Sequence, residues 1–269
     1  MPTMKDSAIV LRLVDWSETS QIVGLLTRGH GKIAATAKGS KRQTPSVMAK
    51  FSGGLELATR GEAVWIARQG RDLATLTEWD LRAGHWRLRR DLGAFELAMY
   101  AIDLAQHLLQ EHDAHPASYD ALAGFLAAVG EAGPGPAAGG AEAAGKGGGG
   151  GGAEARGAAL LGFQWAMISD AGYAPVLDRD AGTEGPLSTR GGAMAFSATV
   201  GGFVADAADK WRVRPATYQT LRRVAEGGSA MDEPLASVER ANRLLCAYCR
   251  AILDRELPTM RAVLGRGER

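Results

Sequence analysis

Cys246 and Cys249 are the only cysteines of the chain and are spaced as CxxC. A structural zinc takes about four ligands in a tetrahedron, and no second pair accompanies them. On a helix the two sulfurs lie beside a Leu245 and Tyr248 stripe, where thiols serve as small buried hydrophobes. The five histidines are His30, His85, His107, His112 and His115. His112 and His115 sit one helical turn apart beside Glu111 and Asp113, but the spacing is not HExxH and Pro116 follows at once. Asp178, Asp180 and Glu184 resemble the opening of a calcium loop, yet Gly182 falls one place early and Thr189 stands where a bidentate glutamate belongs. Gly147 to Gly152 is a homopolymer without the lysine and hydroxyl of a phosphate cradle, and no GxSxG elbow or dinucleotide fingerprint occurs. A metal-dependent enzyme would need a complete ligand or acid–base cluster. No catalytic residue, metal or cofactor is expected, and the chain is not expected to be an enzyme.

The chain does concentrate positive charge. Its formal net charge is only +1, yet the stretch from Arg28 to Lys50 carries Arg28, Lys32, Lys38, Lys41, Arg42 and Lys50 and no acid. A local field of this kind gathers polyanions even on a nearly neutral molecule. Lys32 and Lys38 bracket KIAATAK six residues apart, which places both on one face if the run is a strand. The following GSKR turn sets Lys41 and Arg42 at a loop tip. Such cations position a phosphate backbone without reading its sequence, and their binding weakens with salt. All six are therefore expected nucleic-acid contacts. Aromatic side chains would add stacking platforms. Trp16, in a polar turn, is the candidate for exposure, whereas Trp65 lies in the apolar run AVWIAR and is expected in the core. Phe51, Trp79 and Trp86 are also near in sequence.

These residues need a scaffold. From Ser7 to about Asp80 the apolar runs AIVLRLV, QIVGLLT, KIAATAK, GLELAT, AVWIAR and LATLTEW are short, β-branched and separated by turns. Five or six antiparallel strands follow, and closing them into a small OB-like barrel removes their edges. After Arg89 the period lengthens. Leu92, Phe95, Met99 and Ile102 form one helical stripe, broadened by Ala98, Ala105 and Leu109, and Tyr119, Leu122, Phe125, Leu126 and Val129 form another. Further helices are expected from Ala158 to Ala171, from Pro215 to Ala225 and across SVERANRLLCAYCRAILDREL. The region between them is turn-rich, with one strand-like run from Met194 to Thr199. The expected fold is α+β: an OB-fold β-barrel over residues 1–82, then a mainly α-helical domain over 83–269. A flexible Gly-rich insertion is expected at 130–157, where PGPAAGG and KGGGGGG cannot repay the entropy of ordering. Two cysteines and the lack of a long apolar run point to a soluble cytosolic protein with no membrane contact.

The order of residues around the charges carries a resemblance. Ala8 to Arg12, Glu18 and Thr19, Thr27, Gly31 and Lys32, and Ala37 to Gly39 followed by Lys41 and Arg42 form a pattern. It resembles the N-terminal domain of the bacterial DNA repair and recombination RecO family. Phe51, the GYAPVLDR stretch from Gly172 to Arg179, and Gly201-Gly202-Phe203 fall where that family places similar residues. The resemblance implies an OB fold followed by a helical domain and a non-enzymatic recombination mediator. Such a mediator binds single- and double-stranded DNA, anneals complementary strands, and helps load RecA on DNA coated by single-strand binding protein. It implies RecR and single-strand binding protein as partners, RecA downstream, and a cytoplasmic, nucleoid-associated location. The alternative is a scaffold that mainly docks RecR or single-strand binding protein, with Trp16 and Glu18 in a protein interface and DNA bound by the complex. Many members of the family carry a four-cysteine zinc loop in the second domain. Here Asp180, Ala205 and Ala208 stand where cysteines would fall, so a zinc-free loop region is expected at 175–210.

Overall fold

A computed structural model describes residues 2–67, 73–131, 150–187, 194–205 and 211–265. The first strands are β1 (Thr3–Asp15), β2 (Gln21–Thr27) and β3 (Gly31–Ala37). A short helix α1 (Pro45–Lys50) and the two-residue β4 (Phe51–Ser52) lead to β5 (Arg60–Ile66) and β6 (Leu73–Ala83). The strands run in the order β3-β2-β1-β5-β6, and a parallel pairing of β3 with β6, Ala34 opposite Leu73, closes the barrel. Closure leaves no free edge along these five strands. The barrel encloses Val10, Leu25, Ile33, Trp65, Leu76 and Trp79. Between them on β1 and β2, Ile9, Leu11 and Leu26 point outward and are equally buried, against helices. Burial on both faces is why AIVL reads as a continuous apolar run rather than an alternation.

A 3₁₀ turn at Trp86–Arg90 leads from the barrel to α2 (Leu92–Leu108), α3 (Pro116–Glu131) and α4 (Gly150–Asp170). Asp91 caps α2 by accepting from the Ala94 N–H at 2.9 Å. The expected stripe on α2 is corrected at its start: Leu92 and Phe95 are 69% and 39% exposed. Beyond that first turn the helix is covered on most sides, with its own Ala98, Tyr100, Ala101, Leu104, Ala105 and Leu108 all buried. The insertion is also narrower than 130–157, because Gly130 and Glu131 finish α3 and Gly150 to Gly157 already belong to α4. Arg156 explains part of this. Its guanidinium is buried and donates to both Asp91 carboxylate oxygens, at 3.2 and 2.8 Å, tying the low-propensity start of α4 to the cap of α2. The remainder of the insertion lies outside the described residues.

The chain continues through β7 (Met194–Ser197), β8 (Gly202–Val204) and β9 (Trp211–Val213) to α5 (Pro215–Ala225), α6 (Leu235–Ile252) and α7 (Arg261–Leu264). One strand-like run was expected here and three strands form, in the order β8-β7-β9. Phe196 holds them to the helices, with its ring centroid 5.3 Å from Phe203, 5.9 Å from Trp211 and 5.2 Å from Tyr248. Asp180 knits the preceding loop to this sheet. It accepts from the N–H groups of Gly182 at 2.8 Å, Thr183 at 2.9 Å and Ala205 at 2.5 Å. These bonds to the charged form hold its carboxyl below the ordinary aspartate range, the one from Ala205 foremost. Ala208 lies outside the described residues.

Candidate nucleic-acid interface

The basic segment is continuous in sequence but divided in space. Its first two cations lie at the helical end of the β2–β3 hairpin. Arg28 donates to both oxygens of Asp120 on α3, at 2.9 and 2.7 Å. Lys32, expected on the solvent face, is instead 7% exposed, and its Nζ donates to the carbonyl of Gln106 on α2. Burial draws the Lys32 ammonium below the usual lysine range, against the pull of Glu111. The loop after α2 presses on this end, with the His112 N–H donating to the Lys32 carbonyl at 3.0 Å. Gly31 sits there at φ 69°, where a Cβ would run into the backbone of Asp113. Arg28 and Lys32 thus spend their charge joining the barrel to the helices.

The other four cations, Lys38, Lys41, Arg42 and Lys50, are exposed beyond the far end of β3. At about 3.3 Å per strand residue, Lys38 stands roughly 20 Å from Lys32. Lys50 ends α1, and the loop that carries the other three is well anchored. Ser20 Oγ accepts from the Gly39 N–H at 3.1 Å, the Thr19 carbonyl accepts from the Lys41 N–H at 3.1 Å, and Gly39 at φ 71° turns the chain so that Arg42 N–H reaches its carbonyl at 2.9 Å. Lys41 Nζ also meets Asp15 at 2.5 Å and keeps that carboxyl below its ordinary range. No ion pair among the described residues engages Lys38, Arg42 or Lys50. The β1–β2 turn bonded to this loop displays Trp16 at 66% exposure, so an aromatic face stands beside unneutralised cations. Trp65, Phe51 and Trp79 are buried in the barrel.

A second basic run escaped the sequence reasoning. Leu81 to Arg90, LRAGHWRLRR, contains four arginines and no acid. Arg82 pairs with Glu62 and Asp80, and Arg89 with Glu56. Arg87 joins Arg60 of β5 along a cleft between the barrel and α3. The acid-free run was the available signal. Arg60 had none, because only the fold brings it to the same wall.

The thiols of α6 are unsuited to redox work or metal binding. Cys246 and Cys249 are fully buried, and burial raises the Cys246 thiol to about 11 and the Cys249 thiol further. No group of three or more potential metal ligands occurs among the described residues. No helix there is long and apolar enough to cross a membrane.

A closed five-stranded OB-like barrel with an exposed cationic loop, backed by a mostly helical region that shares its core, defines the class: an α+β protein of the OB-fold kind. Comparison with known proteins then gives the family. A family model described as "Recombination protein O N terminal" matches residues 1–85. The chain is 32% identical over 270 residues to "DNA repair protein RecO" of Anaeromyxobacter dehalogenans strain 2CP-C, covering 97% of this chain and 96% of that one. It is 33% identical to "DNA repair protein RecO" of Myxococcus xanthus over 136 residues, 50% of this chain and 54% of the other. The corresponding protein of Syntrophotalea carbinolica is 36% identical over 136 residues, 49% and 50% of the two chains. The chain belongs to the RecO family, whose members are non-catalytic recombination mediators in DNA repair.

Proposed function

We propose that this chain binds single- and double-stranded DNA with little sequence preference through the loop end of its barrel. It anneals complementary strands and helps load RecA on DNA coated by single-strand binding protein. The observation that carries this is the set of exposed cations without acidic partners among the described residues: Lys38 and Arg42 on an anchored loop bonded to the turn of the exposed Trp16, and Lys50 at the end of α1. Cations aimed at phosphates supply affinity that is indifferent to sequence, and neutralised backbones allow two polyanions to approach. An aromatic face adds stacking that any base can use. In this reading residues 1–82 hold the DNA, while residues 83–269 brace the barrel and offer surface to RecR and single-strand binding protein. The protein works in the cytoplasm on nucleoid DNA.

Replacing Lys38, Arg42 and Lys50 together by alanine tests this. Affinity for unrelated single strands should fall by similar factors, and the slope of log K against log salt should flatten by about 2, at roughly 0.7 per lost phosphate contact. Anisotropy titrations at several salt concentrations measure both, and an unchanged slope would remove this loop from the DNA site. The exposed Trp16 also suits a protein interface. In the scaffold reading Trp16→Ala weakens RecR capture and leaves DNA affinity untouched, whereas in the DNA reading it weakens single-strand binding.

A further inference from the structure

The cleft between the barrel end, the 3₁₀ turn and α3 has a volume of about 630 Å³, within the range of small-ligand sites. Its floor is one face of α3, where Ala123, Gly124 and Ala127 recur at helical spacing. A Cβ built on Gly124 meets none of the described residues within 4 Å, so they leave space above it. The walls carry Arg60 and Arg87, neither of which takes part in an ion pair among the described residues. The Asp120 charge is already engaged by Arg28, leaving Glu131 as the other acid on the rim. Trp86, 46% exposed, closes one side. Its ring lies against Gly84, where any Cβ would strike it, and the Arg89 guanidinium stands 4.9 Å from its centroid. His85 adds two marks of a functional site: a left-handed backbone at φ 47°, and a buried ring Nε2 with no hydrogen-bond partner among the described residues.

A flat small-residue floor, two unpaired guanidinium groups and one carboxylate acceptor match a molecule with a planar ring, an anionic group and ring donors. We infer that the cleft receives one unstacked nucleotide of single-stranded DNA, with its phosphate on Arg60 and Arg87 and its base on the Ala123–Ala127 face beside Glu131. This rests on the DNA-binding reading above and adds a second contact, where the start of β5 and the 3₁₀ turn meet α3. A paired, stacked base cannot enter such a cleft, so the site discriminates single strands from duplex.

Filling the cleft tests this in the full-length protein. Gly124→Leu projects into that space and replaces a helical glycine with a better helix former, so the variant should fold with an undiminished Tm. Anisotropy titrations would use three probes: a mixed-sequence single strand, the same strand with abasic sites throughout, and a duplex. The wild type should prefer the normal strand to the abasic one by roughly tenfold. Gly124→Leu should abolish that preference and leave duplex affinity within about twofold, while Gly124→Ala keeps the preference. Arg60→Ala with Arg87→Ala removes the one phosphate contact they share and should flatten the single-strand salt slope by roughly 0.7. An unchanged preference in Gly124→Leu, or an equal loss for duplex, overturns the nucleotide site while leaving DNA binding by the barrel loop intact. A wild type that binds none of the three probes overturns the DNA reading itself.

Discussion

Asp180 shows how one side chain joins two stretches of chain. Its carboxylate reaches Gly182 and Thr183 in its own loop, and Ala205 at a sequence separation of 25 residues. Three N–H donors converge on this one carboxylate. Asp180→Ala removes all three acceptor contacts, and Asp180→Asn sets an amide donor against the Ala205 N–H, so both should lower Tm. The folded carboxyl lies below its unfolded value near 3.9, so its contribution is complete above that pH and disappears as pH falls through the folded value. Calorimetric scans should show a constant gap between wild type and Asp180→Ala from about pH 8 to pH 5, closing below about pH 4. A gap independent of pH would mean that the carboxylate charge does not matter. The sequence marks Asp180 as a failed calcium ligand and, through the family resemblance, as standing with Ala205 where cysteines would fall, but spacing alone does not show the N–H groups that the fold delivers to it. The same limit hid the burial of Lys32. Its distance along the strand from Lys38 was readable, but the helix covering it was not.

Among the elements, legibility followed how much of each pattern was local. The helices α5 and α6 were readable because Pro215 and the stripe of Val238, Ala241, Leu245 and Tyr248 set their starts and faces by spacing alone. The small sheet was not, because β8 and β9 have three residues each and no alternation can show over that length. The start of α4 is the instructive failure. GGGAEARG has poor helix propensity, and a tertiary contact outweighs it. Arg156 reaches the Asp91 cap of α2 from a side chain that is 9% exposed. Arg156→Ala would take both guanidinium donors from the partly buried Asp91 carboxylate, and breaking such a pair costs about 3 kcal/mol. Urea denaturation should register that loss, with Arg156→Lys recovering only part of it because a single ammonium cannot replace a two-pronged guanidinium. A change below about 0.5 kcal/mol would place the pair among contacts that solvent screens.

At the scale of the whole molecule, the barrel carries its own core but does not finish its own surface. Ile9, Leu11, Leu26 and Ala58 face out of the barrel into one cluster with Ala98, Leu104, Leu122 and Leu126. Polar ties follow the same seam: Ser7 Oγ lies 2.5 Å from Tyr119 Oη, Arg28 grips Asp120, and Lys32 donates to Gln106. A shared core makes the barrel and the helices one body. The physical consequence is testable on the matched segment, residues 1–85. Cut free, it would expose two fully buried side chains, Ile9 and Leu26, and each costs about 1.5–3 kcal/mol to uncover. Against a typical stability of about 5–15 kcal/mol this is a large fraction for so small a barrel. The fragment should therefore bind a hydrophobic dye and unfold without a sharp transition. The whole chain should lose near-ultraviolet and far-ultraviolet circular dichroism in one coincident step. Separate transitions in the whole chain, or a fragment as stable as the intact protein, would show that the seam is a mere contact between independent halves.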